Sequence, residues 1–200
     1  MSHANLAPPA GRAALMHTEA EILKRTGGRP VEGVVYDAER LAARVRELGA
    51  AITAYYPDGE LLVLGLLKGS FIFLSDLVRS ILRPHQVDFL VAVSYGAGTK
   101  SSGDVRLVYD PETILEGKHI LLVEDVVDSG NTLNRLMRLL RTRGPASLEI
   151  CALLHKRIAT HLEREPQFVG FDAPNKFLVG YGLDHAEDFR HLPFIANLKE

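Results

Sequence analysis

Residues 120–133, ILLVEDVVDSGNTL, limit the possible folds of this chain more than any other stretch. Ile120, Leu121, Leu122 and Val123 run on without a polar residue, so the segment is expected to be a strand buried on both faces of a parallel sheet. Glu124 and Asp125 end the run, at the carboxyl edge where open α/β sheets gather their ligands. Asp128, Ser129, Gly130, Asn131 and Thr132 then form a short polar loop. Leu133, Leu136, Met137 and Leu140 repeat at helical spacing after it until Gly144 and Pro145 stop the helix. A loop that opens a helix offers backbone N–H groups and hydroxyls to an anion. The two neighbouring carboxylates repel that anion, which leaves them for sugar hydroxyls or a hard cation such as magnesium. From the residues alone, the pattern equally suits two solvated acids at a strand end and an N-capping Asp128. The loop also lacks the G-x-x-x-x-G-K-[ST] spacing of a nucleoside-triphosphate site.

The flanking sequence supplies the rest of a sheet. Leu41, Val45, Leu48 and Ile52 mark one face of a helix whose other face carries Glu39, Arg40, Arg44, Arg46 and Glu47, with Asp37 as N-cap. Residues 61–67 read as a buried strand. After Lys68 and Gly69, a helix from Ser70 buries Phe73, Leu74, Leu77, Val78 and Ile81. Residues 87–94 give a strand, 95–104 a Gly/Ser-rich loop, 105–109 a short strand and 148–154 a further strand. Such alternation predicts an α/β fold with a doubly wound parallel sheet. Residues 1–28 are expected to form a flexible tail with a short helix near residues 18–25. Residues 29–200 should be a single domain, with a small hood subdomain drawn from the carboxyl-terminal residues 167–200 and the amino-terminal side.

Charge and composition exclude several classes. A net charge of −2, from 23 Lys+Arg against 25 Asp+Glu, argues against a surface that coats nucleic acid. No apolar run approaches the ~20 residues of a membrane span, and the first residues lack the apolar stretch and cleavage site of a secretory signal. Cys151 stands alone, which rules out a disulfide framework, and Leu148, Ile150, Leu153 and Leu154 around it predict a buried, inert thiol. The His residues show no pair spaced for zinc. A cytoplasmic enzyme acting on small molecules, with no membrane or nucleic-acid partner, is the expectation.

Residues 120–133 resemble the phosphoribosyl-pyrophosphate signature of the type I phosphoribosyltransferases, in which two acids and a D-[ST]-G-x-T loop follow a hydrophobic strand. The resemblance spans roughly residues 31–198 and points within that family to the hypoxanthine phosphoribosyltransferases. It implies the type I phosphoribosyltransferase fold and a magnesium-dependent purine-salvage reaction, in which hypoxanthine, guanine or both join the ribose of phosphoribosyl pyrophosphate and pyrophosphate leaves. On this resemblance Glu124, Asp125, Asp128, Ser129, Gly130, Asn131 and Thr132 bind phosphoribosyl pyrophosphate, and Asp128 is the catalytic residue, taking or sharing a proton on the imidazole side of the purine. The stretch GLLKGSF is similar to the loop that receives pyrophosphate, a role that falls to Lys68 and Gly69. Residues 87–104 resemble a lid that excludes water from the reacting sugar, with Ser94 and Tyr95 at its start.

The same resemblance assigns the purine's neighbours. LLHKR gives Lys156 a hydrogen bond to the exocyclic oxygen of an oxopurine, which refuses adenine because an amino group cannot accept it. In residues 168–190, FVGFDAPNKFLVGYGLDHAEDFR, Phe177 would stack on the purine and the Leu178 carbonyl would accept from its ring edge. Asp184 would hold magnesium together with Glu124 and Asp125, and Arg190 would meet pyrophosphate oxygens. Read without the resemblance, Lys68, Lys156 and Arg190 are surface charges and Phe177 is core. Ser129 stands where many members have Thr, and His185 where Tyr is frequent. A homodimer or homotetramer is implied as well. Two rival functions remain: a xanthine-preferring transferase, and a phosphoribosyl-pyrophosphate sensor that binds RNA. Balanced charge and the pairing of Lys156 with Phe177 argue against the sensor.

Overall fold

The computed structural model describes residues 18–29, 31–95, 104–128, 130–157 and 162–199, with the backbone alone at 93–95, 104 and 105. The chain divides after Pro30 into two units. The first contains α1 (Glu19–Arg25), which starts where the Thr18 hydroxyl accepts from the Glu21 N–H at 3.2 Å. Glu19 and Glu21 in its first turn and Lys24 and Arg25 in its last complement the helix dipole. The short helix expected near residues 18–25 is therefore present.

The second unit runs β1 (Val31–Tyr36), α2 (Ala38–Tyr55), β2 (Leu61–Leu67), α3 (Phe71–Val78), β3 (Gln86–Tyr95), β4 (Asp104–Tyr109), β5 (His119–Val127), α4 (Asn131–Arg141), β6 (Ser147–His155), β7 (Phe168–Asp172), β8 (Leu178–Val179) and β9 (Ile195–Leu198). Six of these strands form one sheet in the order β4-β3-β2-β5-β6-β7. From β3 to β7 every pairing is parallel. β4 departs from the expected all-parallel sheet and returns antiparallel to β3. Too few residues separate it from β3 for the crossover of about a dozen that a parallel partner needs.

Alternation along β5 builds the two core layers. Ile120 and Leu122 face Leu64, Ile150 and the α4 side chains Leu133, Leu136, Met137 and Leu140. Leu121 and Val123 face Val63, Leu153, the α2 residues Leu41, Val45 and Ile52, and the α3 residues Phe73 and Leu77. Residues 120–123 are all 0% exposed, as a strand covered by helices on both faces requires. The connection from β2 through α3 leads to β3 on one side, and that from β5 through α4 leads to β6 on the other. Since β2 and β5 pair directly, the direction of winding reverses between them, and their carboxyl ends open a crevice there.

A second, three-stranded antiparallel sheet, β1-β9-β8, joins the two ends of this unit. It packs on the α2/α3 side of the core through Leu178 and Ile195, joined by Tyr181 and Leu183 from the connection between β8 and β9. The Tyr181 hydroxyl donates to Asp76 of α3 at 2.6 Å, and the Tyr36 hydroxyl donates to the Asp172 carbonyl at 2.8 Å. Within residues 167–200, β7 pairs with the large sheet, while β8 and β9 belong to the small one.

Candidate active site

A cavity of about 290 Å³ lies where the winding reverses, lined by Leu67 at the end of β2 and Gly69 after it, by Glu124, Asp125 and Asp128 from β5 onward, and by Thr132 of α4. The two acids do not end β5. It continues to Val127, so the side chains of Glu124 and Asp125 leave on opposite faces of the strand. Asp125 packs against Gly69 so closely that a Cβ there would stand 1.7 Å from Oδ2. Only glycine lets the turn after β2 touch this carboxylate. The Leu67–Lys68 peptide that begins the turn is cis.

Both acids are held toward their neutral forms. Burial, and after it the adjacent Asp125, push Glu124 well above its ordinary value of 4.5. Burial also raises Asp125, opposed by the Val126 N–H at 2.9 Å and by Arg190, while Asp184 adds to the rise. Glu124 Oε2 is buried without a hydrogen-bond partner. Such a pair is poised for hydroxyl groups or for positive charge.

α4 begins at Asn131, inside the loop expected from sequence. Gly130 occupies the N-cap position with φ 79°, a left-handed conformation that glycine adopts freely, and gives no side-chain cap. The N-cap residue therefore supplies no capping oxygen to the opening N–H groups of this 11-residue helix, and a helix start of that kind beside a cavity suits a phosphate. Gly130 and Thr132 line the cavity with Asp128. Ser129 lies outside the described residues.

Asp128 extends from the loop, half exposed, and its Oδ2 lies 3.1 Å from Lys156 Nζ. Lys156 follows β6 and is tied to β5 by its N–H, which donates to the Val127 carbonyl at 2.9 Å. Phe177 is 45% exposed, not core, and the His185 ring stands edge-on to it with centroids 5.4 Å apart. Leu178 is buried in β8 opposite Asn197. Ser94 and Tyr95 lie on β3, paired with Val105 and Asp104. Their side chains and the lid residues 96–103 fall outside the described residues.

Gly180 to Arg190 holds the remaining charges in irregular backbone, where Tyr181, Ala186, Glu187 and Phe189 all have φ between 52° and 71°. Side chains rarely adopt this region, and it recurs where a fold fixes functional groups. Arg190 donates to the Gly182 carbonyl at 2.8 Å and meets Asp184 Oδ1 at 2.8 Å, while its Nε is buried without a partner. Glu187, which sequence reading passed over, pairs with Lys68 at 3.0 Å and with Arg190 at 3.3 Å. An acid between Asp184 and Arg190 was visible in the string. In a non-repeating turn, however, no periodicity tells where its side chain goes.

Among the described residues no three His, Cys, Asp or Glu side chains gather into a metal-binding group. The carboxylates nonetheless suit magnesium, which is held by one or two carboxylates and otherwise by substrate oxygens and water. Asp184 lies close enough to Asp125 to raise its proton affinity, and Glu124, the neighbour of Asp125 in β5, has an orphaned acceptor in its buried Oε2.

Comparison with known proteins shows the family to which this fold belongs. Residues 33–186 match the family model of the phosphoribosyl transferase domain. The hypoxanthine phosphoribosyltransferase of Salmonella typhimurium is 44% identical over 170 residues, 84% of this chain and 95% of that protein. The hypoxanthine-guanine phosphoribosyltransferase of Dictyostelium discoideum is 48% identical over 171 residues, with the same shares covered. Among solved structures, a hypoxanthine phosphoribosyltransferase from Staphylococcus aureus superposes with a TM-score of 0.82 at 38% identity, covering 84% of this chain and 92% of that one. The chain belongs to the phosphoribosyl transferase domain family and, within it, to the group of hypoxanthine and hypoxanthine-guanine phosphoribosyltransferases.

Proposed function

We propose that the chain is a purine-salvage enzyme that transfers the phosphoribosyl group of phosphoribosyl pyrophosphate to hypoxanthine, guanine or both, releasing pyrophosphate. The observation that carries this reading is the placement of Asp128 Oδ2 and Lys156 Nζ 3.1 Å apart beside the cavity. One edge of an oxopurine presents an imidazole N–H next to an exocyclic oxygen, a donor beside an acceptor. Asp128 accepts the first and Lys156 donates to the second, and Phe177 offers an exposed ring face for stacking.

The other groups follow from charge. The start of α4, with Gly130, Asn131, Thr132 and the neighbouring Ser129, takes the 5′-phosphate. Glu124 and Asp125 hold the ribose hydroxyls. Lys68, Gly69 and Arg190 receive the pyrophosphate. Magnesium held by Asp125, Asp184 and Glu124 with substrate oxygens would offset charge on the departing pyrophosphate. Catalysis is then positioning and electrostatics: ribose is fixed between a purine and a leaving group while Asp128 takes or shares the purine's proton. The segment after Ser94 and Tyr95 would close to keep water from the reacting sugar. Residues 1–28 serve as a tail to the catalytic unit, and the enzyme works in the cytoplasm as a homodimer or homotetramer. The exposed Phe71, Val87, Phe89 and Tyr109 support that assembly.

The test is nucleotide formation, followed by absorbance, from phosphoribosyl pyrophosphate, magnesium and hypoxanthine, guanine, xanthine, adenine or uracil in turn. Turnover of hypoxanthine or guanine that falls by about 10²–10⁴ in Asp128→Ala is expected. Turnover of xanthine alone, or of no base, would refute the proposal.

A further inference from the structure

We infer that Glu187 is an internal competitor of pyrophosphate, its carboxylate occupying in the free protein the two cations that the substrate's pyrophosphate must claim. The inference rests on reading Lys68 and Arg190 as those cations. Glu187 Oε2 lies 3.0 Å from Lys68 Nζ and 3.3 Å from Arg190 Nη2. One anionic oxygen bridging an ammonium and a guanidinium is the arrangement a phosphate oxygen would make.

Packing does not demand this contact. The Glu187 and Lys68 side chains are each 66% exposed. Arg190 is already oriented by Asp184 at 2.8 Å and by the Gly182 carbonyl at 2.8 Å. Local backbone delivers the carboxylate. Ala186 and Glu187 turn through the left-handed region with φ 52° and 65°, and the Glu187 N–H donates to Asp184 Oδ2 at 2.9 Å. A turn of that kind at two residues other than glycine is unfavourable by itself. The hydrogen bond from Lys68, and after it that from Arg190, hold the Glu187 carboxyl below its ordinary value, so it is an anion at neutral pH.

Pyrophosphate carries more charge and more acceptors than one carboxylate and displaces it, but both ion pairs are given up on binding. As pyrophosphate leaves, the tethered carboxylate returns to the same cations. The contact that weakens entry therefore favours exit.

Calorimetric titration of sodium pyrophosphate with magnesium chloride into the full chain tests this, using wild type, Glu187→Gln and Glu187→Asp. The first variant removes the charge. The second keeps it but shortens the side chain by one methylene, which draws the carboxylate back from both cations. Both should bind pyrophosphate about three- to tenfold more tightly, the scale of exposed ion pairs. The KM for phosphoribosyl pyrophosphate should fall in parallel while that for the purine stays. Unchanged or weaker binding by Glu187→Gln would overturn the inference, as would a Glu187→Asp variant that matches wild type, which would leave only the field of a nearby charge. Absence of pyrophosphate binding in all three proteins would overturn the assignment of Lys68 and Arg190 and this inference with it.

Discussion

Glu124 shows how a single side chain at this site trades stability for readiness. It is a carboxyl group on a strand whose preceding residues are fully buried, it has an unpartnered oxygen, and burial raises its proton affinity well above the ordinary value. A group whose folded pKa lies above its unfolded one adds stability in full below the unfolded value, and that stability is lost as pH rises through the folded value. Glu124→Gln has no proton to lose there. We expect its melting temperature to match wild type near pH 4 and to exceed it increasingly toward neutral pH, each kcal/mol recovered appearing as roughly 2–4 °C. Equal melting temperatures at every pH would show that the buried carboxyl is not strained. Glu124, Asp125, Asp128 and Lys156 were legible because each comes after an unbroken apolar run, the first two within the last residues of β5 and the others just past the ends of β5 and β6, and a strand end is a place the topology defines. Glu187 was not, because its position depends on the left-handed φ values of Ala186 and Glu187, which sequence does not announce.

β5 was the most legible element. Its unbroken apolar run admits no exposed face, and the structure buries both. Its end was misread: β-branched Val126 and Val127 keep the strand going past the acids, pairing with Leu154 and His155 of β6. Likewise α4 begins at Asn131, earlier than its first apolar residue, because a left-handed glycine rather than a side-chain cap starts it. The direction of β4 depends on pairing partners that a local pattern does not contain. Since the site hangs from β5, its core residues set the rigidity of the acids. Leu122 is 0% exposed between α4 and the sheet, and Leu122→Ala should lower the unfolding free energy by about 2–5 kcal/mol in denaturant titration. A loss under about 1 kcal/mol would mean that the layer can collapse around the missing atoms.

At the scale of the whole second unit, a doubly wound sheet brings the ends of β2 and β5 together, and the connection between β8 and β9 of the small sheet brings Asp184 and Arg190 to Asp125. The large sheet could be read from alternating strands and helices. The small one rests on pairing between β1 and β9, residues far apart in sequence with little periodicity in either strand. The architecture sets Asp128 beside Lys156, next to the start of α4, and the proposed function reads the first pair as an oxopurine-recognising edge and the helix start as a phosphate seat. The ratio of kcat/KM for hypoxanthine to that for adenine, in wild type and in Lys156→Met, tests that claim most directly. Loss of a charged hydrogen bond is worth about 1.5–3 kcal/mol, so the ratio should fall by roughly ten- to a hundredfold or more, through loss of hypoxanthine turnover while adenine changes little. A ratio unchanged by the substitution would contradict the account and place base recognition elsewhere.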